Sequence, residues 1–441
     1  MAEKNNIRAL LLELLLEYEL EGKYINLSLT SHKADRLSAE ERGLLTALLY
    51  TTVENKLRYD YYISSLAKRS IEKIDVVTKN IIRIGLCQLL DMENLPQYAA
   101  INETVKLARN IGEKSFVNGI LRSAQRSAKE LPLPDKEKNF ARYLSVKYSF
   151  PLWIVKKYIA LYGEREAEEL LLYFSKVAPT DLFVNTCKTS VSDFINKLSE
   201  SGIFAEKSPL SENSVRIEKS VDPRKISGYS DGEFFVQDRA CSAAISLLGC
   251  KAGESVVDVC SAPGGKSFAA AIFMNGVGRV TSFDIHESKL SLISDGSKRL
   301  SLSNVTATVC DGTKPKEELF DSFDKVICDV PCSGLGVLSK KPDLRYKSPD
   351  GLDKLPELQY EILSASAEYL KCGGRLLYST CTLLPEENGE VVKRFLDSHP
   401  NFHTVDFYIG EEKSCDGCFT FIPHLTKTDG FFVSLLEKDG I

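Results

Sequence analysis

From about residue 230 to the end of the chain, short apolar segments alternate with helix-patterned stretches; they lie at 255–259, 279–283, 325–328, 375–378 and 431–435. Strands separated by helices at this spacing close through right-handed crossovers into a mostly parallel, doubly wound sheet. Such a sheet takes its ligands just beyond the carboxyl ends of its strands. The residues that follow each apolar segment are therefore where chemistry is expected.

The first segment ends at Asp258 and runs into Cys260-Ser261-Ala262-Pro263-Gly264-Gly265-Lys266 before a helix of small residues. Paired glycines allow a tight turn and a close backbone approach, and the helix start adds N–H donors. The spacing is not G-x-G-x-x-G, so a dinucleotide pyrophosphate is not the expected guest. Asp284 and Asp311 follow the next two strands. A carboxylate at such a place accepts hydrogen bonds from ribose hydroxyls, and a second accepts from an adenine amino group. The competing reading makes each a helix N-cap. Three such sites in strand order favour an adenosyl cofactor.

Two cysteines stand beyond the later strands, in Asp329-Val330-Pro331-Cys332 and in Ser379-Thr380-Cys381. A pyrimidine is inert toward methylation at C5 until a nucleophile adds at C6, and a thiolate suits that addition. An acid must meet N3 as electron density builds on the ring. Asp329 is the candidate, neutral or sharing a proton with the base. One cysteine suffices for attack; this sequence offers two.

Residues 5–130 read as almost all helix, with apolar positions at three- and four-residue steps such as Ile7, Leu10, Leu11, Leu14 and Leu15. Pro96-Gln97-Tyr98-Ala99-Ala100-Ile101-Asn102-Glu103 and Phe116-Val117-Asn118-Gly119-Ile120-Leu121-Arg122 within it resemble the NusB family of RNA-binding domains. On the alternative reading, Asn102 caps a helix and Asn118-Gly119 permits close helix packing. A strand-like 180–185 and an amphipathic 191–199 then suggest a small α/β module.

With these motifs, the last part of the chain resembles the RNA cytosine-5 methyltransferases, and the whole chain resembles the bacterial RsmB (Sun/Fmu) family of 16S rRNA methyltransferases. The resemblance implies a multidomain protein: a NusB-like all-α bundle at 1–132, a small α/β module at 133–228, and a Rossmann-like methyltransferase domain using S-adenosyl-L-methionine at 229–441. It implies Cys381 as the nucleophile and Cys332 as the residue that assists product release. It gives cofactor contacts to Cys260, Ser261, Ala262, Pro263, Gly264, Gly265, Lys266, Asp284, Asp311 and Asp329. The implied substrate is cytosine 967 of 16S rRNA, free or in an early small-subunit assembly intermediate. Ser261 stands where the family commonly has alanine, Lys341 where it has histidine and Tyr346 where it has tryptophan. Methylation of a tRNA or 23S rRNA cytosine is an alternative. A DNA cytosine-5 methyltransferase would need no Thr-Cys cysteine, and a scaffold would not need both thiols.

Twelve cysteines and no secretory signal lead us to expect reduced thiols in a cytoplasmic, monomeric protein without a metal. Cys415-Asp416-Gly417-Cys418 is a lone C-x-x-C, more consistent with a structural role than with zinc. Cys87, Cys250, Cys328 and Cys372 have apolar neighbours and are expected in the core. No apolar run approaches a membrane span. The net charge of −5 argues against a uniformly basic RNA-binding surface, but local clusters occur at Arg122, Arg126 and Lys129, and at Lys340, Lys341, Arg345 and Lys347. The second cluster follows Cys332 and is expected beside the active-site loop.

Overall fold

The computed structural model describes residues 6–23, 25, 37–92, 95–128 and 130–440, so Lys129 lies outside the described residues. The chain packs into two compact units. One holds Met1–Ser175 with Lys341–Ser348; the other holds Lys176–Lys340 and Pro349–Ile441.

The first unit is helical, as the apolar spacing predicts. The helix Val76–Leu90 buries Ile81, Ile82, Ile84 and Leu86 completely, so its apolar surface wraps well around its axis and it forms the middle of the bundle. A Cβ on Gly85 would lie 2.5 Å from Leu121 Cδ2, which shows how closely the helix Ile111–Arg126 approaches there. Buried Arg83 donates to both oxygens of Asp60 at 2.7 Å and to Glu19 at 2.8 Å, a bidentate pairing that compensates its lost hydration. Ser38 and Glu41 form a reciprocal capping box that starts the helix Ala39–Glu54. Asn118 and Gly119 are exposed, and a Cβ on Gly119 would meet nothing within 4 Å. Close packing is therefore not what this glycine serves.

The segment Lys341–Ser348, which follows the Cys332 loop in sequence, packs within this helical unit. Arg345 is 1% exposed, donates to the carbonyls of Phe174 (2.7 Å) and Glu54, and stacks 4.3 Å from the Phe150 ring. Tyr346 meets the Ser149 hydroxyl at 3.1 Å and donates to the Glu54 carbonyl at 3.2 Å. These side chains anchor the segment; they are not a solvated basic face. Arg345→Leu is expected to lower the unfolding free energy of the full chain by about 3 kcal/mol, since it removes the donor to the Phe174 carbonyl and the stacking on Phe150. Urea denaturation followed by far-ultraviolet circular dichroism measures this, and a change below about 0.5 kcal/mol, the scale of an ordinary surface substitution, would contradict the anchoring role.

The second unit begins with a small antiparallel sheet of β1 (Thr180–Val184), β2 (Glu206–Lys207), β3 (Ser214–Ile217) and β4 (Phe234–Val236), in the order β2-β3-β1-β4. The helix Val191–Glu200 buries Phe194 and Leu198 against Leu182, Val184, Val215 and Phe234. The large sheet contains β5 (Ser255–Asp258), β6 (Arg279–Asp284), β7 (Val305–Val309), β8 (Phe323–Asp329), β9 (Leu370–Thr380), β10 (Phe402–Thr404), β13 (Cys418–Phe421) and β14 (Phe431–Lys438). A separate two-stranded ribbon joins β11 (Tyr408–Ile409) to β12 (Glu412–Lys413). The order β10-β14-β9-β8-β5-β6-β7 is parallel from β9 to β7, while β14 runs antiparallel to β9.

Alternation along the strands sends side chains to two cores. Val256, Ile327, Leu377 and Leu435 pack on one side, and Val257, Val326, Leu376 and Leu436 on the other. Both faces are thus buried, as a doubly wound sheet requires, and polar chemistry is left to the strand ends.

Candidate active site

The carboxyl ends of β7, β6, β5, β8 and β9 are neighbours, and they carry the residues singled out from the sequence. Beyond β5, Gly264 has φ +110°, and a Cβ there would lie 2.5 Å from the Phe268 ring. A Cβ on Gly265, the first residue of the helix Gly265–Phe273, would lie 2.7 Å from Gln237 Oε1. The turn therefore depends on both glycines, and it leaves the helix's first N–H groups without intrahelical acceptors.

Asp284 ends β6; its carboxylate accepts from the Ala262 N–H at 3.2 Å and the His286 N–H at 2.9 Å. It thereby ties the Cys260–Lys266 turn to the neighbouring strand end. Ser261 strengthens that tie by donating to the Phe283 carbonyl at 2.7 Å. Asp311, beyond β7, accepts from the Thr313 hydroxyl at 2.8 Å and its N–H at 3.0 Å; these bonds hold its carboxyl below the usual range. Neither aspartate is the helix N-cap of the alternative reading: His286 holds that place before the helix Glu287–Leu300, and the bonds from His286 and Thr313 close turns instead. Asp258 is buried, accepts from Ser267 Oγ at 2.7 Å, and is pushed up to about 7 by burial. The Asp284 and Asp311 carboxylates at adjacent strand ends repel a phosphate group and favour a cation bearing hydroxyls. The donors and acceptors present, with two glycines that admit no Cβ, fit a sulfonium nucleoside. Among the described residues no group of three His, Cys, Asp or Glu side chains is placed to hold a metal ion.

The two thiol motifs meet because β8 and β9 are adjacent. Asp329 pairs in register with Ser379, and the Val330 N–H continues the ladder to the Ser379 carbonyl at 3.1 Å. Cys332 and Cys381 then lie with their sulfurs 3.0 Å apart, and the Cys381 N–H donates to Cys332 Sγ at 3.2 Å. The hydrogen bond to Cys381, followed by burial and by the negative charge that Cys381 and Glu387 can carry, raises the Cys332 pKa well above that of an ordinary thiol. Asp329 accepts from Lys266 Nζ and from Ser379 Oγ, each at 2.6 Å. Burial opposes the Lys266 charge, but Asp329 outweighs it and keeps the ammonium protonated.

Several supporting side chains lie outside the residues singled out from the sequence. Glu387 Oε2 accepts from the Ser333 N–H and from Gln359 Nε2, each at 2.9 Å, and Gln359 also donates to the Pro331 carbonyl. Ser333 donates to Thr382 Oγ1 at 2.8 Å, and Thr380 donates to Asn388 Oδ1 at 2.5 Å. Glu387 and Asn388 follow Cys381 within seven residues in the sequence, whereas nothing in the helical surroundings of Gln359 marks it.

The remaining cysteines divide differently from expectation in one place. Cys87, Cys250 and Cys328 are buried, but Cys372 is exposed, because β9 bulges there: Phe323 pairs with Leu370 and Lys325 with Arg375, so residues 371–374 loop out of the ladder. Cys415 and Cys418 exchange backbone hydrogen bonds around Asp416 and Gly417, both at positive φ. This is a two-residue hairpin turn, which explains the C-x-x-C spacing structurally. Among the described residues no helix is long and apolar enough to cross a membrane.

Residues 245–437 match the model of the 16S rRNA methyltransferase RsmB/F family, residues 5–126 that of the NusB family, and residues 150–224 that of the ferredoxin-like domain of RsmF/B-like methyltransferases. The chain is 36% identical to the probable ribosomal RNA small subunit methyltransferase B of Bacillus subtilis, covering 99% of this chain and all of the relative. It is 34% identical to the protein of the same description from Synechocystis, over 91% of this chain and 92% of that one. Among solved structures, the crystal structure of PH0851 superposes with a TM-score of 0.80 at 27% identity, over 98% of each chain.

Proposed function

Since the chain belongs to the RsmB/F family of small-subunit rRNA methyltransferases, we propose that it methylates C5 of cytosine 967 in 16S rRNA through a covalent bond between Cys381 and C6 of the base. The observation that carries this reading is the thiol pair, 3.0 Å apart at the ends of adjacent parallel strands, with Asp329 beside it.

S-adenosyl-L-methionine bound at the Cys260–Lys266 turn, Asp284 and Asp311 supplies an electrophilic methyl group. The protein's own part begins with ionisation. Two thiols in contact cannot both carry charge; the family resemblance gives the thiolate role to Cys381, and contact with that neighbour and burial raise the pKa of Cys332. Attack on C6 makes C5 nucleophilic. As electron density builds on the ring, the Lys266–Asp329 pair delivers one of its protons to N3 through Asp329, and takes it back when the adduct breaks down. The C5 proton then passes to solvent water, its bonding pair re-forms the C5=C6 double bond, and the C6–S pair leaves on sulfur, returning Cys381 as a thiolate. The Cys332 S–H stabilises that leaving group, so it favours release over attack.

The target base leaves its stack to reach the thiol, at a cost that is smallest in an unpaired loop. Residues 1–132 and 133–228 hold the RNA, free or in an early assembly intermediate in the cytoplasm, while residues 229–441 hold the cofactor and the base. Bisulfite sequencing of rRNA from cells with and without the protein tests the reading. Loss of one protected 16S cytosine at position 967 is expected. An unchanged 16S pattern would overturn it, and loss at a tRNA or 23S cytosine would move the substrate there.

A further inference from the structure

Two sequence stretches in the second unit, Phe235-Val236-Gln237-Asp238 and Asp429-Gly430-Phe431-Phe432, have no part in the chemistry above. The fold joins their aspartates through one lysine. Lys340 Nζ donates to Asp238 Oδ2 at 2.7 Å and to Asp429 Oδ2 at 2.9 Å, and the Asp429 N–H donates to the same Asp238 oxygen at 3.1 Å. Both carboxylates are buried. Burial, and then the nearby Asp238, push Asp429 up to about 7; burial opposes the Lys340 charge, but Asp238 and Asp429 outweigh it and raise its pKa. Without the ammonium, two carboxylates would face each other away from water, an arrangement that does not persist.

Lys340 ends the loop that begins at Cys332, because the chain enters the helical unit at Lys341. That loop is fixed at three places. Near its start, the Ser333 N–H is bound to Glu387. In its middle, the Gly336 N–H donates to the Cys381 carbonyl at 2.9 Å, and the Gly430 N–H donates to the Gly336 carbonyl at 2.8 Å. A Cβ on Gly336 would lie 1.9 Å from the Gly430 oxygen and 2.9 Å from the Cys381 oxygen, so backbone lies directly on backbone here. At its end stands Lys340. Asp429 immediately precedes Gly430, so the lysine and the glycine contact secure the same turn.

We propose that Lys340, gripped by Asp238 and Asp429, is a positioning residue for the thiol pair: it fixes the far end of the 332–340 loop and so keeps Cys332 in contact with Cys381. The consequence for product release rests on the thiol roles proposed above, but the positioning itself does not. The two are tested separately with Lys340→Met, with Lys340→Arg as the conservative variant and Asp429→Asn as a second removal of the grip.

The positioning is read by diamide, a diazene that oxidises two adjacent thiols to a disulfide while its N=N bond takes up the two hydrogens to become a hydrazine. The Cys332–Cys381 linked peptide, lighter by two hydrogens, is followed by mass spectrometry. Lys340→Met and Asp429→Asn are expected to slow its formation about 10-fold, as loss of contact geometry does, and Lys340→Arg to restore most of the rate. Wild-type linking rates in both Lys340→Met and Asp429→Asn would overturn the proposal. Loss in Lys340→Met without recovery in Lys340→Arg would also overturn it, since a general packing defect would then account for the change. In the same samples the fraction of protein trapped on RNA after one turnover is measured. Slowed linking with unchanged trapping would leave the positioning intact and overturn the release role of Cys332.

Discussion

Cys381→Ala is expected to abolish methylation of 16S rRNA, by about 10³-fold or more, while cofactor binding stays within about 2-fold of wild type. The asymmetry follows from where the groups stand. The Cys260–Lys266 turn proposed to hold the cofactor lies beyond β5, with Asp284 and Asp311 at the ends of β6 and β7, whereas Cys381 lies beyond β9 with β8 between. The Gly264 N–H donates to the Ser261 carbonyl, and Asp284 accepts from Ala262 and His286. Losing the sulfur removes the proposed nucleophile, and burial with the nearby Glu387 still disfavours ionisation of the remaining Cys332. Filter binding of labelled cofactor and transfer of labelled methyl to rRNA read the two quantities on one preparation. Residual transfer within 10-fold of wild type, the size of a lost accessory contact rather than a lost nucleophile, would remove Cys381 from the chemistry.

Cys332→Ala is expected to do the opposite to the covalent step. A Cys381 thiolate that no longer receives a hydrogen bond from Cys332 is a better nucleophile and a poorer leaving group. Attack and the first methyl transfer should therefore proceed within a few-fold of wild type, while steady-state turnover falls by about 10²-fold, the scale of losing a charge-assisted hydrogen bond at a reacting atom. The protein should then accumulate as a species joined to RNA that survives denaturing electrophoresis. Normal turnover of Cys332→Ala, with trapping by Cys381→Ala instead, would exchange the two roles.

Much of the site was legible because a parallel sheet puts ligand contacts where its strands end. The alternation after residue 230 located Asp284, Asp311, Asp329, Cys332 and Cys381 at such ends without any knowledge of strand order. What the alternation does not carry is adjacency. β8 and β9 are separated in sequence by the Lys341–Ser348 segment and the helix Leu355–Ala367, yet they are neighbours in the sheet, which is why the two sulfurs touch.

The less legible residues depend on partners far away in the chain. Arg345 reads as part of a surface charge cluster until the carbonyls of Glu54 and Phe174 take up its donors. Lys340 reads the same way until Asp238 and Asp429 are brought to it from either side of the domain's sequence. Local composition says nothing about such long-range pairing. The C-x-x-C turn was different: Asp416-Gly417 is a short-range hairpin signal, and read as a turn it accounts for the spacing of the two cysteines.

The most direct test of covalent catalysis by this thiol pair is to digest the RNA-linked Cys332→Ala protein and map the nucleotide by mass spectrometry. The account predicts a methylated cytidine remnant on the peptide containing Cys381. A remnant on any other residue, or a Cys332→Ala protein that turns over slowly without ever carrying RNA, would contradict it.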